Sequence, residues 1–181
     1  DLPLIPHPPN DSDVTRGEVS AVLETMDRAP LPDHFVDRVS DSVEEVFFDT
    51  CDQLGVEAYA DMADIIAKDV LKIAMYLKFK FLRPRPYQLA PYYEGYITSA
   101  DMKADESPSY PSGHSMMGFA LSKFYGDRYP EHSQTFNDLG RKVALARVQA
   151  GVHYPSDVVY AKQLIEHLMG PSEHTKEASL M

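Results

Sequence analysis

The stretch MADIIAKDVLKIAMYLKFKFLRPRP, residues 62–86, decides the fold because it has the pattern of a long amphipathic helix with an abrupt end. Its apolar side chains recur at intervals of three and four residues, the period of an α-helix; they are Met62, Ile66, Val70, Ile73 and Leu77. The doubled Arg-Pro at residues 83–86 ends the pattern, since proline disfavours helix at the residue before it. We therefore predict a helix over about residues 56–81.

The same helical period recurs on both sides of this stretch. It predicts further helices over residues 15–28, 33–54, 113–128, 131–150 and 156–169. The signals for helix starts are a Thr15–Glu18 capping box, Asp33 and Ser156, and those for helix ends are Gly55 and Gly151. No run of alternating strands and no βα repeat is present. The sequence thus predicts an all-α protein, a single compact bundle of about six to eight helices.

Three segments fall outside the helical pattern. Residues 1–13 are rich in proline and are expected to form an extended arm, ahead of a single domain over residues 14–170. Residues 171–181 are expected to be a flexible tail. The tyrosine-rich residues 87–110 lack a clean period, and their position between two candidate motifs favours a wall or lid over a site.

Composition excludes several classes of protein. The net charge of −11 argues against a nucleic-acid partner, which would require a basic face. The sequence contains no run of 18 apolar residues, so no membrane span is expected. No signal-peptide pattern is seen in its first residues. The single cysteine, Cys51, excludes an internal disulfide and a cysteine metal cluster, and it is expected to be a small residue packed in a helix.

The candidate functional residues are two histidines, three cations and a short turn spread over four segments. Lys78, Arg85 and Arg147 could converge on a tetrahedral dianion, with Arg giving forked hydrogen bonds and Lys a point charge. The turn at residues 111–114 adds the Ser112 hydroxyl, the Gly113 N–H and the His114 imidazole, and lies where a helix N-terminus favours an anion. These features predict a phosphate-like site.

Asp157 follows His153 by four residues, so its carboxylate could take the Nδ1 proton and leave Nε2 as a nucleophile or base. His114 would be the second imidazole, able to protonate a leaving group. No His-Glu-x-x-His and no carboxylate array is present, so no metal is expected. Each residue also has a structural alternative: a solvated Lys78, Arg147 paired with Asp138 or Asp157, or a helix cap at residues 153–157. Only their joint occurrence favours a catalytic site.

The order Lys78-x6-Arg85-Pro86, Pro111-Ser112-Gly113-His114 and Arg147-x5-His153-x3-Asp157 resembles the three-part signature of the type-2 phosphatidate phosphatase superfamily, which includes bacterial class A acid phosphatases and vanadium haloperoxidases. The closer likeness is to the soluble acid phosphatases. The pattern departs from the family at Ala146, where serine is usual, and in its doubled Arg-Pro. Arg85 is taken as the ligand because only it has a lysine seven residues before it.

The resemblance implies hydrolysis of phosphate monoesters without a metal, through a phosphohistidine on His153, with Asp157 orienting it and His114 as the acid. Lys78, Arg85, Ser112, Gly113 and Arg147 would bind the phosphate. The expected partner is a small phosphate ester, and a periplasmic or secreted location is favoured; a homo-oligomer is left open.

Three alternatives remain. The first is a vanadium haloperoxidase with vanadate as cofactor in the same pocket, although such chains are generally much longer. The second is a Ser112-His153-Asp157 hydrolase, which lacks the strand and elbow expected before the serine. The third is a non-catalytic phosphate- or phospholipid-binding module.

Overall fold

The long helix predicted from the opening stretch is present in the computed structural model, which describes residues 1–98 and 106–171. Over these ranges the regular structure is helical and contains no strand, so the all-α prediction is confirmed. The α-helices in chain order are α1 Asp13–Arg28, α2 Asp33–Asp41, α3 Val43–Leu54, α4 Ala60–Phe81, α5 Pro86–Leu89, α6 Gly113–Arg128, α7 Ser133–Gln149 and α8 Pro155–Met169. Short 3-10 turns lie at Ala90–Tyr93 and Pro130–His132.

The prediction of one helix over residues 33–54 is wrong, because the chain bends at Ser42. This residue is extended, with φ −161° and ψ 117°. Its hydroxyl accepts the backbone N–H of Glu45 at 3.2 Å, so Ser42 caps the start of α3. A serine that can satisfy an orphan N–H stabilises a new helix start in the middle of an apolar pattern. The corner between α2 and α3 turns residues 40–44 towards the functional cavity.

Helix α4 begins at Ala60 rather than Val56, because Tyr59 adopts the left-handed conformation (φ 46°). Its buried face is also rotated from the predicted one. Met62 is 47% exposed, and the face turned to the core comprises Ala63, Ala67, Val70, Ala74 and Leu77. Alanines at these positions let α4 lie close to α6, whereas the large residues of the predicted stripe lie partly outside the contact.

Two predicted helix caps differ in the structure. The start of α1 is capped by Ser12, whose hydroxyl accepts the N–H of Thr15 at 3.2 Å, and Glu18 reaches α8 instead of its own helix end. Helix α8 begins at Pro155, so Ser156 lies inside its first turn. The Ser156 N–H is bound by Glu18 Oε1 at 2.6 Å. Local capping rules therefore missed a contact between the first and last helices.

Helix α6 lies at the centre of the bundle and contacts α4, α7 and α8. It approaches α7 closely at Gly118 of α6 and Gly140 of α7. A Cβ on Gly118 would lie 2.9 Å from Val143 Cγ1. On another side of α6, the ring of Tyr125 stacks on Phe47 of α3 and Phe136 of α7, with centroids 5.8 and 5.1 Å apart. This packing fixes the middle and the C-terminal part of α6 against α3 and α7.

The N-terminal segment ahead of α1 lies along the domain. The Tyr110 hydroxyl donates to the carbonyl oxygen of Ile5 at 2.9 Å, and that of Tyr160 donates to Pro3 at 2.8 Å. Of the predicted tail, residues 172–181 lie outside the described residues. In the described part of the chain, no helix combines the length and the apolar character needed to cross a bilayer.

Candidate active site

A cavity of about 400 Å³ lies among the α2–α3 corner, α4, the N-terminus of α6, the end of α7 and the segment before α8. It brings together most of the predicted site residues, since its lining includes Lys78, Arg85, Gly113, His114, Arg147 and His153. Apolar side chains of α4 and α6 also line it, as do two acidic residues, Asp41 and Glu44.

The three predicted cations converge on this cavity from different segments. Lys78, at the end of α4, and Arg85, after it, are each 3% exposed, and Arg147 in the last turn of α7 is 0% exposed. Lys78 Nζ donates to the carbonyl oxygen of Pro108 at 2.5 Å, and Arg147 donates to Ser40 Oγ at 2.8 Å. Burial and then the charges of Arg85 and Arg147 lower the pKa of Lys78 well below its ordinary value. Three crowded, buried cations form a site that favours an anion.

Arg85 is fixed by the loop that precedes α6 and by the segment after α7. Its Nε donates to the Ser107 carbonyl oxygen at 2.9 Å, and its NH1 donates to the Val152 carbonyl oxygen at 2.8 Å. The same NH1 lies 2.9 Å from Nε2 of His153. Since a guanidinium can only donate, Nε2 must be the acceptor and therefore carries no proton. Ser107 lines the cavity, so this part of the tyrosine-rich segment does form a wall of the site.

The second ring nitrogen of His153 is held by Asp157. Nδ1 lies 3.0 Å from Asp157 Oδ2, and because Nε2 is unprotonated, Nδ1–H is the donor. His153 is fully buried: burial, followed by the charges of Arg85 and Lys78, lowers its pKa well below the usual range. The imidazole is therefore neutral, with its single proton on the nitrogen that faces the carboxylate.

Asp157 is itself bound on both oxygens. Its Oδ2 accepts the Ser109 hydroxyl at 2.5 Å and the Tyr154 N–H at 2.9 Å, and its Oδ1 accepts Arg83 NH1 at 2.7 Å. Burial raises the pKa of Asp157, and Arg83 with the Ser109 hydroxyl opposes that rise. All three contacts come from residues that sequence reasoning did not assign to the site, Ser109, Tyr154 and Arg83.

Arg83 belongs to the doubled Arg-Pro and lies behind the cavity rather than in its lining. Its side chain is 0% exposed, its guanidinium lies 3.8 Å from the centroid of the Tyr154 ring, and its NH2 donates to Glu18 Oε2 at 2.8 Å. The repeated Arg-Pro was a sequence signal that a second arginine had a role. The Glu18 contact spans 65 residues and left no local signal.

The Pro111–His114 turn leads directly into α6. Gly113 and His114 form the first residues of the helix and both line the cavity. Ser112 is the N-cap: its hydroxyl accepts the Ser115 N–H at 3.2 Å and lies 2.7 Å from Ser115 Oγ. Ser112 is fully buried and is not part of the cavity lining. Its predicted phosphate contact therefore stays a prediction, while its capping role is explicit.

Residues 62–162 match the PAP2 superfamily, more than half of the chain, and the protein belongs to that superfamily. Membership implies phosphatase-type phosphoryl transfer. Among solved structures, the chain is similar to the first transmembrane PAP2 type phosphatidylglycerolphosphate phosphatase from Bacillus subtilis, with a TM-score of 0.54 and 15% identity. That match covers 93% of this chain and 89% of the other, and at this identity it supports the fold alone. No curated protein matches the chain.

Proposed function

We propose that the protein hydrolyses phosphate monoesters through a phosphohistidine intermediate, as expected for the class A acid phosphatases that its motifs resemble. One observation carries the proposal. His153 lies among Lys78, Arg85 and Arg147 in one cavity, with Nδ1 held by Asp157 and Nε2 unprotonated. A neutral imidazole oriented in this way is a nucleophile beside a site for a dianion.

In the first half-reaction, the lone pair on His153 Nε2 attacks phosphorus and the bond from phosphorus to the ester oxygen breaks. His114 gives a proton to the departing oxygen, so an alcohol leaves. The imidazole becomes a phosphorylated cation, which the Asp157 carboxylate stabilises through Nδ1–H. In the second half-reaction, neutral His114 takes a proton from water, the hydroxide attacks phosphorus, and the bond to Nε2 breaks to release phosphate.

The equatorial oxygens of the transferring group would be bound by Lys78, Arg85 and Arg147, with the Gly113 N–H at the start of α6. Charge on these oxygens shifts as the bipyramid forms, so contacts made best in that state accelerate the reaction. Loss of one such donor costs about 10²–10³ in turnover in acyl-transfer enzymes, and we expect a similar loss here. Vanadate, which adopts the same geometry, is expected to inhibit.

The test is hydrolysis of p-nitrophenyl phosphate in excess chelator by the wild type and by His153→Ala. We expect the wild type to be active and His153→Ala to be inactive. We also expect that an acid-labile phosphoprotein can be captured during turnover of the wild type. An active His153→Ala variant or chelator-sensitive activity would contradict the mechanism. In His114→Ala, kcat/KM should fall far more for an alkyl phosphate than for p-nitrophenyl phosphate, because only the alkoxide needs a proton to leave in the first half-reaction.

A second candidate is hydrolysis of an amphiphilic phosphate ester. Tyr76, Phe79 and Leu82, at the C-terminal end of α4, are 60%, 56% and 63% exposed. Met75 lines the cavity and also borders this surface, so the apolar strip is continuous with the site. The similar Bacillus subtilis protein is itself named for an amphiphilic phosphate ester, phosphatidylglycerolphosphate.

Butyl and decyl phosphate distinguish the two candidates. If the alkyl chain binds the α4 strip, kcat/KM rises with chain length, by up to about 0.8 kcal/mol for each buried methylene, and Phe79→Ser removes the rise. Equal rates for both esters would favour small polar substrates. An assay with vanadate, hydrogen peroxide and bromide separates the haloperoxidase alternative, which predicts bromination without phosphatase activity.

A further inference from the structure

The buried guanidinium of Arg83 connects helix α1 to the carboxylate that holds the proposed nucleophile. Arg83 NH2 binds Glu18 at 2.8 Å, Arg83 NH1 binds Asp157 at 2.7 Å, and Asp157 binds His153 at 3.0 Å. The Arg83 and Asp157 side chains are 0% exposed and that of Glu18 is 12% exposed. The four residues thus form a continuous chain of hydrogen bonds that ends at the imidazole.

We propose that Glu18 and Arg83 are positioning residues for the reaction, acting through Asp157 on the orientation and tautomer of His153. The proposal rests on the proposed function, because it assigns these residues to the attack by His153. It also extends the functional unit beyond the superfamily match, since Glu18 precedes residues 62–162.

Arg83 is the partner that fixes the carboxylate plane of Asp157. Ser109, Tyr154 and His153 all contact Oδ2, whereas Arg83 contacts Oδ1. Without the guanidinium, a fully buried carboxylate would favour its neutral form or rotate. A protonated carboxyl would donate to the imidazole rather than accept from it, and the proton on His153 would then move to Nε2, which must attack.

Glu18 holds Arg83 in this position. Its carboxylate accepts Arg83 NH2 and also the N–H and hydroxyl of Ser156, at 2.6 and 2.9 Å. Arg83 NH1 in turn donates to Ser156 Oγ at 2.7 Å, and the Tyr154 ring covers the guanidinium face. Glu18 therefore ties the arginine to the first turn of α8, the turn that carries Asp157.

Kinetics of Glu18→Gln, Arg83→Gln and Arg83→Lys test the proposal, each normalised to folded protein by circular dichroism. Glu24→Gln is the matched control, a carboxylate of the same helix that is 60% exposed and paired with Arg28. By analogy with partners that orient metal-bound histidines, kcat should fall about 10- to 100-fold in Glu18→Gln and Arg83→Gln, with KM little changed. Arg83→Lys, which keeps the charge, should recover part of the loss, and Glu24→Gln should match the wild type.

Three readouts separate positioning from mere folding. NMR of the His153 ring should show the proton leaving Nδ1 for a mixture of tautomers in Glu18→Gln and Arg83→Gln. The double variant should lose less than the product of the single losses, because both act through the same carboxylate. Affinity for inorganic phosphate should hold, since neither residue lines the cavity that contains the three cations.

The proposal is overturned if Glu18→Gln, which keeps the side-chain volume and is the decisive variant, retains wild-type kcat and the Nδ1–H tautomer. It is also overturned if the losses appear only in KM. These results differ from failure of the proposed function, in which the wild type is inactive or His153→Ala is active.

Discussion

Arg85 donates a hydrogen bond of 2.9 Å to Nε2 of His153, the atom proposed to attack phosphorus. The contact blocks protonation of the nitrogen that must be free, and a phosphoryl oxygen would take over the same guanidinium during the reaction. We therefore propose two functions for Arg85: it keeps Nε2 of His153 unprotonated, and it binds the phosphate. Phosphate binding by Arg85 affects activity, whereas its contact with Nε2 affects the pKa of His153, so the two functions can be tested separately.

Replacement of Arg85 by leucine should raise the pKa of His153, because a positive charge that disfavours the imidazolium is removed. The acid limb of the kcat/KM profile should move to higher pH. A histidine NMR titration measures the same change directly. Arg141→Leu, which removes an arginine 66% exposed, is the control. An unchanged pKa of His153 would contradict the proposal that Arg85 keeps Nε2 unprotonated.

The buried His153 also makes stability depend on pH. Its pKa in the folded protein is well below 6.5, so below about that pH the unfolded chain binds a proton that folded His153 does not. Its contribution to stability is therefore present above pH 6.5 and is lost as pH falls from this value through the lower pKa of the folded protein. In Arg85→Leu the loss should be smaller, and urea unfolding at a series of pH values measures the difference. Equal pH slopes in both proteins would contradict the prediction.

Lys78 should lower the stability of the fold while it supports turnover. Lys78→Met removes a buried cation beside two others, so the free energy of unfolding without phosphate should rise by about 1 kcal/mol. Turnover should fall about 10²- to 10³-fold. The rise in Tm caused by added phosphate should be smaller in Lys78→Met than in the wild type. Lys80→Met, at an exposed position on the same helix, is the matched control and should change none of the three. A less stable Lys78→Met with normal phosphate stabilisation would refute the argument.

Asp41 and Glu44 should set which charge on the leaving group the protein prefers, because they line the same cavity as the cations. Phosphoethanolamine, ethyl phosphate and phosphoglycolate differ by one charge at a similar size. In Asp41→Asn/Glu44→Gln, kcat/KM for phosphoglycolate relative to phosphoethanolamine should rise about tenfold at low salt and less at high salt. Asp138→Asn, away from the cavity, is the control. A ratio that stays constant would show that these carboxylates do not sense the leaving group.

The close contact of α6 with α7 should be intolerant of side-chain volume. A Cβ on Gly140 would collide with the Ser122 hydroxyl, which is held by the carbonyl oxygens of Gly118 and Phe136 at 2.8 Å. Gly140→Ala should therefore destabilise the fold by about 1–3 kcal/mol, despite its better helix propensity. Gly17→Ala in α1, where nothing lies within 4 Å of the new Cβ, should stabilise it by roughly 0.5–1 kcal/mol. Thermal unfolding of both variants provides the comparison.

Helical periodicity predicted the fold class, because it is a local signal. The convergence of the three cations, which lie on separate segments, could be predicted only from the joint occurrence of the motifs and their resemblance to a known family. The sequence placed His153 and Asp157 four apart, and the structure sets their side chains 3.0 Å apart. It did not predict the break at Ser42, where one capping hydrogen bond overrode a continuous apolar pattern. Nor did it predict the Glu18–Arg83 contact, because an ion pair between distant helices depends on how they pack and leaves no period in the sequence.

The corner at Ser42 has a consequence for how selectivity could change. It presents residues 40–44 to the cavity, whereas the proposed nucleophile and acid lie on the segment before α8 and on α6. If Asp41 and Glu44 set the leaving-group preference as predicted above, that preference and the proposed bond-making chemistry are encoded in separate parts of the chain. Random substitution at Asp41 and Glu44 is then expected to give a library that varies in substrate preference and keeps the proposed catalytic residues unchanged.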